Sequence, residues 1–410
     1  MNPITYAIPA FMVLILIEVI ATVIRKKDYY RLNDAINSLS CGMISITLKL
    51  VTNLGMYVLI YNNLALFTFD AASLWVWLAV LVLQDFCYYW NHRIGHEVNI
   101  FWASHSVHHQ SEEYNLTTAL RQTSTSFFLS WIFYVPLALL GFPPEVFFTV
   151  SLLNLLYQFW VHTRHIPKLG WYEWIFVTPS NHRVHHAKNL KYLDKNYGGL
   201  FILWDRLFGT FMEEDENYEP IRYGTIKPLR NWNPITANLS PFADLMHDAI
   251  KTKSWKEKFA LWFRHTGYRP ADVAPPSEMP DIHAYEDYDP AVSKTVKIYS
   301  GIQFALLVLA TTLFMGISHT TSYAFDALWA SLMAINLMYI GKLLENHSLP
   351  RVEFQRIGLT VCTLLITHWQ WQLVPVSVWL AAAFWIALSA IMVFIATART
   401  SQAAAIKGEA

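Results

Sequence analysis

The run AASLWVWLAVLVLQDFCYYWNHRIGHEVNIFWASHSVHH, residues 71–109, passes from apolar sequence with one acidic residue into five histidines. Its first part, 71–89, has about the length a helix needs to cross a hydrocarbon core of roughly 30 Å. If that helix continues, His92 and His96, four apart, share a face. His105, His108 and His109 then combine spacings of three and four, which lets three imidazoles aim at one point. A second box of the same form, His182, His185 and His186, stands in NHRVHH at 181–186. Between the boxes, VHTRH at 161–165 adds His162 and His165. Ten of the sixteen histidines fall between His92 and His186, a concentration that scattered core or surface residues explain poorly.

Outward from this stretch the chain stays apolar. Over 410 residues, 54% are hydrophobic and only 15% charged, which reads as a membrane protein. Candidate spans are 8–24, 39–60, 71–89, 127–140, 146–160, 298–317, 325–339, 357–371 and 378–395. The two runs between 127 and 160 are short and parted by 141–144, so they form either two spans or a re-entrant hairpin. The basic RKKDYYR, 25–31, follows the first span and belongs in the cytoplasm, which puts the histidines there too. The N-terminal run lacks a preceding basic region and a small-residue cleavage site, and reads as a retained anchor. Zero formal net charge gives no basis for nucleic acid as a partner. Cys41, Cys87 and Cys362 all sit in apolar runs, so no disulfide framework is expected.

Neutral imidazole suits iron, zinc, copper and nickel, and eight or nine nitrogens exceed what one ion can hold. Two metals are therefore implied. Structural zinc is normally a closed four-ligand site that often uses cysteine, and no cysteine lies near these boxes. The zinc protease motif H-E-x-x-H fails as well, because His96-Glu97 is followed at its last position by Ile100. A pair of irons that activates O₂ fits the ligand number and the membrane setting better. Asp85, seven residues before His92, returns to the same helical face two turns deeper. It either accepts the free N–H of a ligating histidine or is an interfacial carboxylate paired with Arg93. Glu112 and Glu113 read as solvated, and 213–220 as an acidic loop without site chemistry. The stretch 254–270 mixes aromatic and basic residues, which suits a helix on the membrane surface, and the Pro-rich 270–281 reads as a linker.

On the pattern H-x3-H, H-x2-H-H, H-x2-H-H the chain resembles the membrane fatty acid hydroxylase/sterol desaturase superfamily. HHQSEEYNLTTALRQTS, YQFWVHTRHIPKLGWYEWIFVTPSNHRVHHAKN and YLDKNYGGLFILWDRLFGTF are similar to its alkylglycerol monooxygenase branch. The resemblance covers about Asp85 to Phe211 densely. It implies an all-α fold, a polytopic membrane helical bundle with a cytosolic histidine-rich di-iron cap. It implies His92, His96, His105, His108, His109, His182, His185 and His186 as ligands of two iron ions, with His162 as a ninth. His165 has no counterpart expected in the family, and Asn181 stands where relatives often have a histidine. Glu97 recurs in the family motif, and either offsets the charge of the metal pair or contacts the cofactor.

The activity implied is hydroxylation of the ether-bearing carbon of alkylglycerols with O₂ and tetrahydrobiopterin, giving a hemiacetal that collapses to fatty aldehyde and glycerol. The runner-up is a hydroxylase or desaturase of fatty acyl chains or sterols that takes electrons from a protein donor. A membrane metal-binding or transport protein is the rival of another class. The expected organisation is N-terminal spans over 1–70, a catalytic domain over 71–250, an interfacial helix and linker over 251–296, and C-terminal spans over 297–410. A bacterial inner membrane and an endoplasmic reticulum fit equally.

Overall fold

Where the apolar runs predict membrane helices, the structure forms them in two sets, one before the histidines and one near the C-terminus. The computed structural model describes residues 3–51, 55–215, 217–273, 281, 285–371 and 374–408. Among them there is no strand, only the isolated bridges Val98–His265, Phe176–Phe201 and Ala187–Tyr223. The principal helices are α1 (Pro3–Ile24), α2 (Leu32–Val51), α3 (Met56–Leu64), α4 (Leu74–Glu97), α5 (Asn99–His109) and α6 (Pro144–Trp160). They are followed by α7 (Pro179–His185), α8 (Pro234–Lys251), α9 (Lys294–Ile317), α10 (Tyr323–Leu344), α11 (Leu349–Trp371) and α12 (Val376–Gly408).

Among the described residues four stretches are long and apolar enough to cross a membrane: Ala7–Ile24, Lys294–Ile317, Tyr323–Leu344 and Val376–Ile395. Of the nine predicted runs, five do not form such a stretch among the described residues. The run 39–60 is split between α2 and α3. The run 357–371 belongs to α11, whose first turns carry Arg351, Glu353 and Arg356. The run 127–140 breaks into three short pieces, Ser126–Leu129, Ser130–Tyr134 and Val135–Leu140, before α6 returns. Gly141 makes that return possible. At φ +92° a Cβ would stand 1.8 Å from the Phe67 carbonyl oxygen, so only glycine fits. The hairpin packs on α4 through Val76, Val80, Leu137, Val146, Phe147 and Val150, all buried. Most of the linker expected at 270–281, residues 274–280, lies outside the described residues.

The C-terminal helices dock on the N-terminal ones rather than standing apart. Ile36 of α2, Phe304 of α9, and Met333, Leu337, Ile340 and Leu344 of α10 form one buried cluster with Trp232. Gly341 lets this seam close, since a Cβ there would lie 2.3 Å from the Trp232 carbonyl oxygen. Two hydrogen bonds pin the same place: Asn37 donates to the Trp232 carbonyl at 2.7 Å, and Trp232 N–H donates to Glu345 at 2.6 Å. All three cysteines are free, as expected, and Cys362 is exposed on α11.

Candidate metal centre

Helix α4 runs on past its apolar part and carries His92 and His96 one turn apart on a shared face. A single extended residue, Val98, then turns the chain into α5, which presents His105, His108 and His109. The corner is clipped from outside, because Asn99 N–H donates to the Arg264 carbonyl and Thr266 N–H to the Glu97 carbonyl, each at 3.0 Å. His162 follows the last turn of α6. The last box lies on the short helix α7, which starts at Pro179 behind a capping box of Thr178 and Asn181. Asn181 is thus part of a cap, which accounts for its departure from histidine.

These elements bring nine histidines together in two groups. His92, His96, His105, His109 and His185 form one, and His108, His162, His182 and His186 the other; within each group one ring nitrogen per residue lies within 4.8 Å of every other. The expectation that each box aims at one point is corrected here. Both boxes split between the groups, because consecutive helical residues diverge by about 100° while residues four apart share a face. His105 and His109 therefore face one way and His108 the other, and likewise His182 and His186 against His185.

Hydrogen bonds to backbone carbonyls fix the tautomers. The Nδ1 atoms of His92, His108, His162 and His185 lie 2.8, 2.9, 2.8 and 3.0 Å from the carbonyls of Tyr197, Arg121, Gln158 and Lys195. A carbonyl only accepts, so each Nδ1 carries the proton and each Nε2 is a bare lone pair. Two such lone pairs, on His108 and His162, face each other at 3.3 Å, which is repulsive unless a cation lies between them. In the other group His109 Nε2 has His96, His105 and His185 nitrogens at 3.1, 3.1 and 3.2 Å, and one proton cannot serve three contacts. Nitrogens sharing an ion at about 2.1 Å would lie roughly 3.0–3.4 Å apart, so both groups have the spacing of ligand sets. His186 Nε2 is buried without a hydrogen-bond partner, which fits a lone pair kept for a metal, while His182 turns its Nε2 toward His162 Nε2 at 3.1 Å. Burial, reinforced by neighbouring imidazoles, pushes His105, His109, His182 and His186 well below their ordinary pKa, and burial with the nearby Arg121 charge takes His108 down to about 4. The rings are therefore neutral and able to ligate at neutral pH.

The carbonyls for His92 and His185 come from one contorted loop. Asp194 and Asn196 both adopt left-handed φ, +57° and +56°, on either side of Lys195. Asp and Asn tolerate that conformation better than other side chains, and the kinks turn the carbonyls of 195 and 197 toward the site. Asp205, fully buried, accepts N–H donors from Tyr197 and Gly198 at 2.7 Å each. Asp85 holds the other end of the loop. It accepts from Leu200 and Phe201 N–H at 2.7 and 3.0 Å, from Trp204 Nε1 at 2.9 Å and from Asn154 at 2.9 Å. Neither of the two expected partners of Asp85, a histidine N–H or Arg93, is among its donors. Its carboxylate is saturated by the loop and acts on His92 only through it.

Glu97 turns outward to Arg93, with Nε to Oε1 at 2.9 Å, and is about a quarter exposed. The carboxylate nearest a site imidazole is Asp194, whose Oδ1 is 3.6 Å from His96 Nδ1. His165 stays outside both groups and contacts Thr22 and Arg25 at the end of α1. Glu112 and Glu113 are not solvated. Glu113 is gripped by Arg31 at 2.7 Å and by Arg164, and Glu112 accepts from Tyr285 and the Tyr288 N–H at 2.7 Å each. The acidic loop at 213–220 also contributes, because Glu214 clamps Arg183 at 2.9 and 2.7 Å while Arg183 donates to the Thr163 and Ile166 carbonyls. A residue the sequence reading passed over is Glu18, in the first apolar run. It accepts from Tyr30, Thr163 and the Leu116 N–H, tying α1 to the loops beside His162. A lone carboxylate in a membrane-length run was the available signal.

Comparison with known proteins places this geometry. The chain is 40% identical over 309 residues to alkylglycerol monooxygenase of Homo sapiens, covering 74% of this chain and 68% of the relative. The corresponding enzymes of Xenopus tropicalis and Danio rerio are 38% identical over 304 residues and 39% over 312. Those alignments cover 73% and 74% of this chain, and 67% and 68% of the relatives. The chain belongs to the alkylglycerol monooxygenase family. The fatty acid hydroxylase family model matches residues 77–210, a span that contains all nine histidines of the two groups. No solved structure gives a significant match. Family membership and the four apolar helices together make the chain a multi-pass membrane protein and a lipid monooxygenase.

Proposed function

We propose that the two histidine groups hold two iron ions, five nitrogens on one and four on the other, and that the protein uses O₂ to hydroxylate the ether-bearing carbon of an alkylglycerol. The observation that carries this reading is the pair of converging imidazole sets, in which backbone carbonyls fix the tautomers of His92, His108, His162 and His185. When bound, two irons supply the O₂ chemistry that oxidises an unactivated C–H bond. The balance is R–CH₂–O–R′ with O₂ and two reducing equivalents, giving R–CH(OH)–O–R′ and water. The hemiacetal then breaks to aldehyde and glycerol. A tetrahydropterin is the proposed source of the two electrons and two protons.

The chain's own residues contribute orientation and dryness. Backbone carbonyls of Tyr197, Lys195, Arg121 and Gln158 hold four Nδ1–H groups and keep Nε2 toward the centre. All nine rings lie within or at the edge of the interior, so water has little access to the reacting atoms. Glu97 lies next to His96, and we assign it to the approach of the reductant or to offsetting the charge of the metals. The cytosolic orientation is supported by contacts of the basic 25–31 segment with the histidine-bearing domain: Arg31 pairs with Glu113, and Arg25 with His165. Both therefore sit on one side of α1.

The test is aldehyde release from a 1-O-alkylglycerol by iron-loaded protein, with and without reduced tetrahydrobiopterin, alongside iron counted per chain. Pterin-dependent aldehyde at two irons per chain is the expected result. Two irons without aldehyde would move the reaction to acyl chains or sterols with a protein electron donor.

A further inference from the structure

The C-terminal bundle buries charge in a part of the chain that gives no histidine to either group. Glu353 and Arg356 stand one turn apart near the start of α11, 2% and 1% exposed. Arg356 donates from Nε and Nη2 to a single carboxylate oxygen, Oε2, at 3.1 and 2.7 Å. Its guanidinium also lies 4.7 Å from the Trp385 ring centre and 3.3 Å from the Tyr299 hydroxyl. Gln303 extends the set, donating to Ser389 at 3.1 Å and accepting from Trp385 Nε1 at 2.9 Å. Glu353 Oε1 is buried without a hydrogen bond of regular geometry, and the protein donor beside this carboxylate is the Tyr299 hydroxyl, which accepts from Gln303 and Arg356 and turns its own proton toward Glu353. A buried carboxylate oxygen without a well-aligned donor is costly, and its presence asks what completes its bonding.

Glu353 lines a groove of about 380 Å³ between α11 and α12, whose other walls include Phe354, Ile357, Ala390, Val393 and Phe394. That volume lies within the range of small-molecule sites, roughly 300–1,000 Å³. Phe354 and Phe394 are 81% and 74% exposed, on helix faces that meet the bilayer in a membrane protein. An occupant therefore enters from the lipid phase with an apolar chain. The start of α11 follows directly on the end of α10, where Glu345 is bonded to Trp232, so the carboxylate sits at the end of the bundle that meets the histidine-bearing domain. That is the level of a lipid headgroup rather than of the hydrocarbon centre. The Glu353–Arg356 pair is neutral as a unit. Its arginine disfavours a cationic head and its carboxylate repels a phosphate, which leaves an uncharged O–H donor.

We infer that this groove binds a neutral single-chain lipid with a free hydroxyl, whose O–H donates to Glu353 Oε1. The site stands independently of the reaction proposed above, since it uses none of the histidines. The test uses the full-length protein in phosphatidylcholine nanodiscs and a monoalkylglycerol with a photoactivatable diazirine on its chain, compared with its di-O-methyl derivative. After irradiation, labelling is mapped on peptides covering 350–357 and 390–397. Loss of one hydrogen bond corresponds to about fivefold in affinity, so the free diol should label these peptides about five times more strongly than the capped probe. Glu353→Gln should reduce the diol to the level of the capped probe. Because that change could loosen Arg356, Ala390→Leu fills the groove while leaving the ion pair intact, and should also lower labelling about fivefold. Equal labelling by the two probes, or undiminished labelling in folded Ala390→Leu protein, would overturn the inference.

Discussion

The histidine-bearing region and the C-terminal bundle both bury carboxylates, but they treat them differently. In the first, Asp85 has four donors and Asp205 is held by two backbone N–H groups and the Thr210 hydroxyl, so both oxygens of each are used. In the second, Glu353 has both its hydrogen bonds of regular geometry on one oxygen and none on the other. A saturated carboxylate is a structural anchor with nothing left to offer a ligand. An unsaturated one marks a place where the protein alone does not complete its hydrogen bonding. By the same criterion the centre of the histidine-bearing region is unfinished at its ring nitrogens, where lone pair faces lone pair. The region that anchors with acids leaves its open valences on imidazoles, and the bundle leaves its open valence on an acid.

The strongest way to break this contrast is to remove an imidazole. His109→Ala deletes the nitrogen that three others approach, and His186→Ala deletes an unpartnered one. Each should lower turnover by well over a hundredfold, since loss of residues that merely support ligands already costs about 10–100-fold. Iron per chain should fall from two toward one in His186→Ala, with membrane insertion unchanged; retained turnover would remove that histidine from the ligand set. The next effect is expected from Asp85→Asn. The amide leaves only one acceptor oxygen for four donors and turns its NH₂ toward one backbone N–H and one side-chain N–H, costing about 1–3 kcal/mol locally. Because Asp85 reaches His92 only through the 195–204 loop, activity should fall roughly 10–100-fold with iron binding weakened, and a direct role in proton transfer would instead spare iron binding altogether.

The histidine chemistry was legible because it is periodic. Spacings of three and four on helices announced which rings could meet, and all nine do. Which rings of different elements share a group was not legible, because it depends on α4, α5, α7 and the end of α6 meeting at fixed rotations. Backbone acceptors are invisible in principle: any residue could supply the carbonyls that Tyr197 and Lys195 present, and only the left-handed pair Asp194 and Asn196 hints that the chain turns there. Acidic side chains misled in both directions. Asp85 was read toward a histidine or Arg93 and faces a loop, while Glu112, Glu113 and Glu214 were read as solvated or inert and clamp arginines. Hydropathy marks more runs than meet the crossing criterion among the described residues, since a run such as 127–140 is apolar yet folds as three short pieces.

In the C-terminal bundle the corresponding perturbation is steric. Gly341→Ala places a methyl group 2.3 Å from the Trp232 carbonyl oxygen, and the seam must open by about 1 Å. Overpacking of this kind costs about 1–3 kcal/mol, so thermal stability in detergent should drop while turnover per folded molecule stays the same. A fall in turnover without a fall in stability would mean that the bundle takes part in the chemistry.

The smallest effect on stability is expected at the boundary of the two treatments, where Glu97 is neither saturated nor buried. Its ion pair with Arg93 is partly exposed and joins residues four apart on α4. Such pairs contribute about 0–1 kcal/mol, so Glu97→Gln and Arg93→Gln should each leave stability nearly unchanged. Their catalytic effects should diverge if Glu97 faces the reductant as well as Arg93. Glu97→Gln should then raise the KM for the pterin several-fold with little change in that for the lipid, while Arg93→Gln should not. Equal and small changes from both substitutions would reduce Glu97 to one half of a surface pair, and would leave the imidazoles and the loop behind them as the whole of the site's polar machinery.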